Sequence, residues 1–204
     1  MLTATRVGRN FRFMINFENL PADLPIPRDD GMTNHLSGHA LPRVLLPSTS
    51  GKLIDLAEVS SSPTVLFIYP RAGSPIAPNK NMEAWDLIPG ARGCTPHTCG
   101  YRDLYREFND LGVAVFGLSI QAPDIQKEFV QRMHIPFEIL SDEKHELMKA
   151  LHLPTFDFDG ERLIKRMAFF LNDSKIQKVF YPIFPPDKNA FEVLDWLKEN
   201  KSEH

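Results

Sequence analysis

Cysteine is nearly absent: only Cys94 and Cys99 occur among 204 residues. Absent too is any apolar run near the roughly 20 residues that cross a membrane as a helix. The longest, residues 113–118, has the length of a buried strand. Positive charge is not in excess, with 23 Lys and Arg against 26 Asp and Glu and a net charge of −3. These shortages exclude a disulfide-stapled scaffold and a helical membrane anchor. They also argue against nucleic acid or an anionic membrane as a partner. Neither a G-x-x-x-x-G-K-[ST] loop nor a Rossmann glycine pattern occurs, and there is no internal repeat. Two cysteines five positions apart, in what is expected to be a reducing, cytoplasmic setting, suggest redox chemistry or a metal rather than a permanent staple.

What is present suits one domain with an appended arm. Arg6, Arg9 and Arg12 precede the first acid, Glu18, as in a weak organelle-targeting segment, but no apolar core of a secretory kind follows. Residues 1–39 are expected to form an N-terminal arm, extended or partly disordered, and residues 40–204 the folded domain. Short strands are expected at residues 43–46 and 52–56, and a strand buried on both faces at residues 65–69, ended by Pro70. Residues 71–93 are a long Pro/Gly-rich loop, too apolar at Trp85, Leu87 and Ile88 for plain disorder. Tyr101, Leu104, Tyr105, Phe108 and Leu111 predict one helix with a buried stripe, stopped by Gly112. Further strands are expected at residues 113–118 and 136–140, with helices over 123–132 and 142–151. Asp159-Gly160 is a hairpin turn from a strand at 155–158 into one at 163–171. Asn189 and Glu192 have the spacing of a capping box opening the last helix. Helices alternating with buried strands, then a hairpin and a helix, predict an α/β sheet covered on both faces and ending in an antiparallel pair.

Thr95 is a good N-cap and Pro96 a good first helical residue, so a helix is expected to begin almost on top of Cys94. Unpaired N–H groups and a helix dipole of roughly half a positive charge favour a thiolate there. Cys99 is the natural partner, yet five helical positions separate Cα atoms by roughly 8–9 Å, and a disulfide needs about 7 Å or less. A redox pair therefore requires the first turns of this helix to unwind, which Gly100 makes easier. Two other readings stand beside it: a pair of inert core cysteines, and a C-x2-H-x-C metal site using His97 but lacking an obvious fourth ligand.

Four stretches carry a resemblance: G-C-T-P-H-T-C-G-Y-R-D-L at 93–104, L-G-V-A-V-F-G-L-S at 111–119, I-P-F-E-I-L-S-D at 135–142 and K-R-M-A-F-F-L-N at 165–172. From about Ala40 to Asn200 the chain resembles a peroxiredoxin of the bacterioferritin-comigratory (Q) type. That resemblance implies a thioredoxin-like fold with a mixed central sheet flanked by helices. It implies Cys94 as the peroxidatic cysteine, Cys99 as the resolving one and Arg166 as the arginine that assists the thiolate. The family motif Pro-x-x-x-Thr-x-x-Cys is not contiguous here, because Leu87 and Ala91 occupy its Pro and Thr positions. Its opening fits Y-P-R-A-G-S-P at 69–75 instead, with Ser74 for Thr, so an insertion of about 17 residues is expected within the 71–93 loop, folded out as a lobe.

The function implied is reduction of hydrogen peroxide or organic hydroperoxides through a Cys94 sulfenic acid and a Cys94–Cys99 disulfide. Thioredoxin or glutaredoxin would regenerate the thiols, no metal or organic cofactor is called for, and a monomer or a homodimer would serve. The alternatives are a thiol-disulfide oxidoreductase or redox sensor on the same fold, and a non-catalytic interaction module built around the 71–93 lobe.

Overall fold

A computed structural model describes residues 20–200 apart from Ala22 and Asn79. The first nineteen residues of the expected arm lie outside the described residues. Two short strands, β1 (Leu45–Pro47) and β2 (Leu53–Asp55), form a hairpin outside the main sheet, followed by the single turn α1 (Leu56–Val59). The central strand is β3 (Thr64–Ile68), all five residues buried. After it come α2 (Met82–Asp86), α3 (Cys94–Asp103), α4 (Tyr105–Asp110), β4 (Ala114–Ser119), α5 (Pro123–Met133), β5 (Ile139–Ser141) and α6 (Glu146–Ala150). The hairpin β6 (Thr155–Phe158) and β7 (Glu161–Ile164), then β8 (Met167–Asn172), β9 (Lys175–Phe180) and α7 (Asn189–Glu199) complete the chain.

The five-stranded sheet runs β5-β4-β3-β8-β9. Its β3, β4 and β5 are parallel, whereas β8 is antiparallel to β3 and β9 to β8. Alternation along β3 divides the interior in two, as it must when both faces of a sheet are covered. Val65 and Phe67 join Tyr101, Phe108, Phe129 and Leu194 on one face. Leu66 and Ile68 join Leu56, Leu147 and Phe169 on the other. This is the mixed α/β sheet expected from the pattern of strands and helices.

Two local expectations are corrected. The helix foreseen over 101–111 is two helices meeting at Leu104, whose φ of −104° leaves the helical range. The hydrogen-bond ladder nevertheless runs through, from Leu104 N–H to the Gly100 carbonyl and from Phe108 N–H to that of Leu104. The strand foreseen over 163–171 is split, because β7 pairs with β6 and β8 with β3. Lys165 and Arg166 fall in the break. The 71–93 loop carries the helix α2, and its Trp85 and Ala91 pack on Phe158 and Leu163 of the β6–β7 hairpin in a third small core. Packing also starts before residue 40: Leu36 is fully buried, and His39 accepts from Ile176 N–H at 2.9 Å.

Candidate active site

The site lies at the C-terminal end of β3, where open α/β sheets present ligand-binding loops. The loop leaving β3 is clamped at once. Gln121 accepts from Ala72 N–H (2.8 Å) and donates to its carbonyl (3.0 Å), while Arg132 donates to the Gly73 carbonyl at 2.7 Å. The chain then makes its excursion through α2 and returns at Gly93. That residue adopts φ 97°, a conformation that L side chains rarely reach. The left-handed step places Cys94 itself in the first turn of α3, so the expected N-cap moves back from Thr95 to Gly93 and the sulfur sits nearer the unpaired N–H groups.

Arg166 meets Cys94 from across the sheet. It directly precedes Met167, which pairs with Ile68 at the end of β3. Arg166 is 3% exposed, and each of its guanidinium nitrogens donates a hydrogen bond. Nε donates to the Gly90 carbonyl (3.3 Å), and Nη2 to the carbonyls of Ala91 (3.2 Å) and Arg92 (3.1 Å) and to Cys94 Sγ (3.2 Å). Among the described residues no carboxylate makes an ion pair with it. The acceptors around this buried cation are backbone carbonyls, the His97 ring and the sulfur of Cys94, a residue that is itself only 4% exposed. Beside the sulfur lies a cavity of about 30 Å³ whose lining includes Arg71, Gly73, Gly93 and Thr95. Both ends of the 71–93 excursion thus border one small space.

Arg166 Nη1 donates to His97 Nδ1 at 3.0 Å. A guanidinium only donates, so Nδ1 accepts and the proton sits on Nε2. Nε2–H donates to Asn189 Oδ1 (3.0 Å), which also takes the Tyr101 hydroxyl (2.7 Å), while Asn189 Nδ2 donates to Glu192 (3.2 Å). Asn189 is therefore the first residue of α7 and a buried hub, not the cap of the expected box. Both His97 nitrogens are occupied, which answers the metal reading at that residue. Burial, then the Arg166 charge, push His97 well below the usual histidine range, so the ring stays neutral. The unfolded chain binds a proton near the ordinary pKa of about 6.5. Stability from this ring is therefore complete above that pH and lost as pH falls below it. Urea melts at pH 7.5, 6.5 and 5.5 should fall more steeply for the wild type than for His97→Gln, by up to about 1.4 kcal/mol per pH unit. Parallel slopes would contradict the neutral assignment.

Cys99 lies on the same helix and is 8% exposed, and the two cysteines are not joined in a disulfide. Gly100 beside it permits a close approach, since a Cβ there would stand 3.3 Å from the Asp187 carbonyl and 3.4 Å from Ala190 Cβ. Ser74 corrects the expectation made for it. Its hydroxyl donates to Glu128 Oε2 at 3.1 Å and accepts from Ile76 N–H at 3.3 Å, and the cavity is bordered by Gly73 and Thr95 rather than by Ser74. The competing partner comes from α5, where Arg132 fixes Glu128 at 2.7 Å and also donates to the Gly73 carbonyl at 2.7 Å. Arg92 holds Asp86 of the lobe at 3.1 Å and contributes its carbonyl to Arg166. His97 was visible in the sequence as a polar group one turn after Cys94; Asn189 carried no such signal.

A family model described as Redoxin matches residues 36–194. Peroxiredoxin Bcp of Escherichia coli K12 is 29% identical over 171 residues, covering 80% of this chain and 96% of that protein. The chloroplastic Peroxiredoxin Q of Populus jackii is 28% identical over 181 residues, covering 86% and 76%. Among solved structures, Peroxidoxin BcpB of Mycobacterium tuberculosis superposes with a TM-score of 0.64 at 25% identity, covering 80% of this chain and 97% of that one. A PrxQ mutant of Xylella fastidiosa shares the fold at the same TM-score and 19% identity. With a thioredoxin-like sheet and a cysteine at a helix start against a buried arginine, the chain belongs to the Redoxin family and is a Q-type (bacterioferritin-comigratory) peroxiredoxin, a thiol-dependent peroxidase.

Proposed function

We propose that Cys94 is the peroxidatic cysteine, Cys99 the resolving one and Arg166 the group that stabilises charge on the reacting atoms. The carrying observation is the 3.2 Å contact of Arg166 Nη2 with Cys94 Sγ, made by a buried cation that has no carboxylate partner among the described residues. The sulfur attacks one peroxide oxygen and becomes a sulfenic acid as water or an alcohol leaves. Arg166 offsets the charge on the sulfur and on the departing oxygen. Thr95, on the cavity wall, takes the orienting part that the sequence suggested for Ser74. Space of about 30 Å³ holds one or two small heavy atoms. It suits hydrogen peroxide and the O–O head of an organic hydroperoxide whose remainder stays outside.

Cys99 then condenses with the sulfenic acid, and an external dithiol such as thioredoxin or glutaredoxin opens the disulfide by exchange. Both cysteines belong to one chain, so the cycle is complete in a monomer and compatible with a homodimer. A cysteine pair that must be returned to the thiol state in each cycle fits a reducing compartment such as the cytoplasm. No described helix is long and apolar enough to cross a membrane.

Both cysteines are helical, within Cys94–Asp103, so their Cα atoms are roughly 8–9 Å apart. Disulfide formation must unwind the start of α3 and break contacts such as the bond from His97 N–H to the Gly93 carbonyl, 3.0 Å long. Hydrogen exchange over residues 94–105 is expected to rise at least about tenfold on oxidation, with helical circular dichroism falling. Identical exchange in both redox states would remove the intramolecular disulfide.

A further inference from the structure

Arg71 follows Tyr69 and Pro70 off the end of β3 and is fixed on several sides. Nη1 donates to Glu161 Oε2 at 3.0 Å, and the guanidinium carbon stands 5.2 Å from the Trp85 ring centroid and 5.5 Å from that of Phe158. Its other terminal nitrogen, Nη2, is buried and has no hydrogen-bond partner among the described residues. A charged donor out of water needs an acceptor, and native structures leave few such groups unsatisfied. Arg71 borders the cavity that Cys94 and Thr95 also line, and the Cys94 sulfur at its edge carries the donor from Arg166 at 3.2 Å.

We propose that Arg71 is a second peroxide-binding arginine, its Nη2 donating a hydrogen bond to the distal oxygen of a hydroperoxide whose proximal oxygen meets Cys94 Sγ. This rests on the assignment of Cys94 as the nucleophile. In that step the sulfur gives an electron pair to the proximal, hydrogen-bearing oxygen. An S–O bond forms as the O–O bond breaks, the sulfur is oxidised by two electrons to the sulfenic acid, and the distal oxygen leaves as hydroxide or alkoxide, taking a proton from water. Arg71 gives up no proton; it stabilises the charge that appears on the distal oxygen. Its pairing with Glu161 and its seat against the contacting rings of Trp85 and Phe158 hold it in place before the substrate arrives, which is where such a donor is most effective. The lobe supplies one of those rings through Trp85, so the excursion between β3 and Cys94 has a catalytic use beyond covering the pocket.

The test is stopped-flow oxidation of the reduced protein by hydrogen peroxide and by tert-butyl hydroperoxide, with alkylation of Cys94 by iodoacetamide at pH 7 as the parallel reading. Arg71→Met keeps an unbranched chain against the two rings and removes the donors. It is expected to lower both peroxide rate constants about 10- to 100-fold, the loss of one charge-assisted hydrogen bond, while alkylation stays within about 2-fold of wild type. A loss under about 5-fold, or equal falls in peroxide and iodoacetamide rates, overturns the proposal, the second by showing that Arg71 only shapes the pocket. If Arg71→Met does not fold, Arg71→Lys decides by the same thresholds, because one ammonium paired with Glu161 cannot also serve the cavity. A wild type no faster than a free thiol would bring down the Cys94 assignment as well, whereas a fast wild type matched by Arg71→Met brings down only the role of Arg71.

Discussion

Arg166→Met is expected to slow peroxide reduction about 100- to 1000-fold, the range seen when one preorganised donor to a developing charge is removed. Arg166 does three things at once. It gives Cys94 Sγ a charged donor at 3.2 Å, it gathers the carbonyls of Gly90, Ala91 and Arg92, and it fixes the His97 ring at 3.0 Å. Methionine fills similar volume and offers none of this. The three carbonyls and His97 Nδ1 would each lose a buried donor, at about 1–3 kcal/mol apiece, partly offset because a buried cation has been removed. The melting temperature should therefore fall together with the rate. Arg166→Lys separates the effects: a single ammonium supplies charge but cannot span carbonyls, imidazole and sulfur, so the rate should fall less while the fall in stability persists. Stopped-flow rates beside thermal melts check both. A methionine variant within about threefold of the wild-type rate would contradict the role given to Arg166.

Gly93→Ala should be among the most damaging single-methyl additions in the domain. A Cβ at residue 93 would lie 2.4 Å from Pro186 Cγ and 2.8 Å from Leu20 Cδ2, at a backbone φ of +97°. Pro186 opens the 3-10 turn Pro186–Lys188 before α7, so it yields little. Strain at such a φ is worth about 1–3 kcal/mol and overpacking about as much again. Together these predict a fall in melting temperature of roughly 5–15 °C for a chain of this size. Function suffers separately, since Cys94 is the next residue and any shift of the helix start changes its distance to Arg166. An unchanged melting curve would show that α3 can begin without the left-handed step.

Much of this was legible in the sequence where the physics is local. The buried strand at 65–69, the Asp159-Gly160 turn with both residues at positive φ, and the helix opening beside Cys94 each follow from residues within a few positions of one another. Arg166 was reached through a resemblance, and its place beside Cys94 follows from the break between the pairings of β7 and β8. Less legible was whatever depends on partners far along the chain. Ser74 has the right chemistry in the right place in sequence, yet Glu128, 54 residues on, takes its hydroxyl. Asn189 and Glu192 have the spacing of a capping box, but Asn189 points its amide to His97 and Tyr101, because α7 packs against α3. Local propensity cannot register a competitor that only the tertiary fold supplies.

In the proposed cycle Cys94 attacks peroxide with Arg166 at its side and Cys99 resolves the sulfenic acid. The direct measurement is the second-order rate of the reduced protein with hydrogen peroxide by stopped flow, run beside Cys94→Ser and Cys99→Ser, with mass spectrometry of the products. The reaction is expected to be fast and to be abolished by Cys94→Ser. An intramolecular disulfide is expected in the wild type, and a trapped Cys94 sulfenic acid in Cys99→Ser. A wild-type rate no greater than that of free cysteine, or a fast rate that survives in Cys94→Ser, would contradict it.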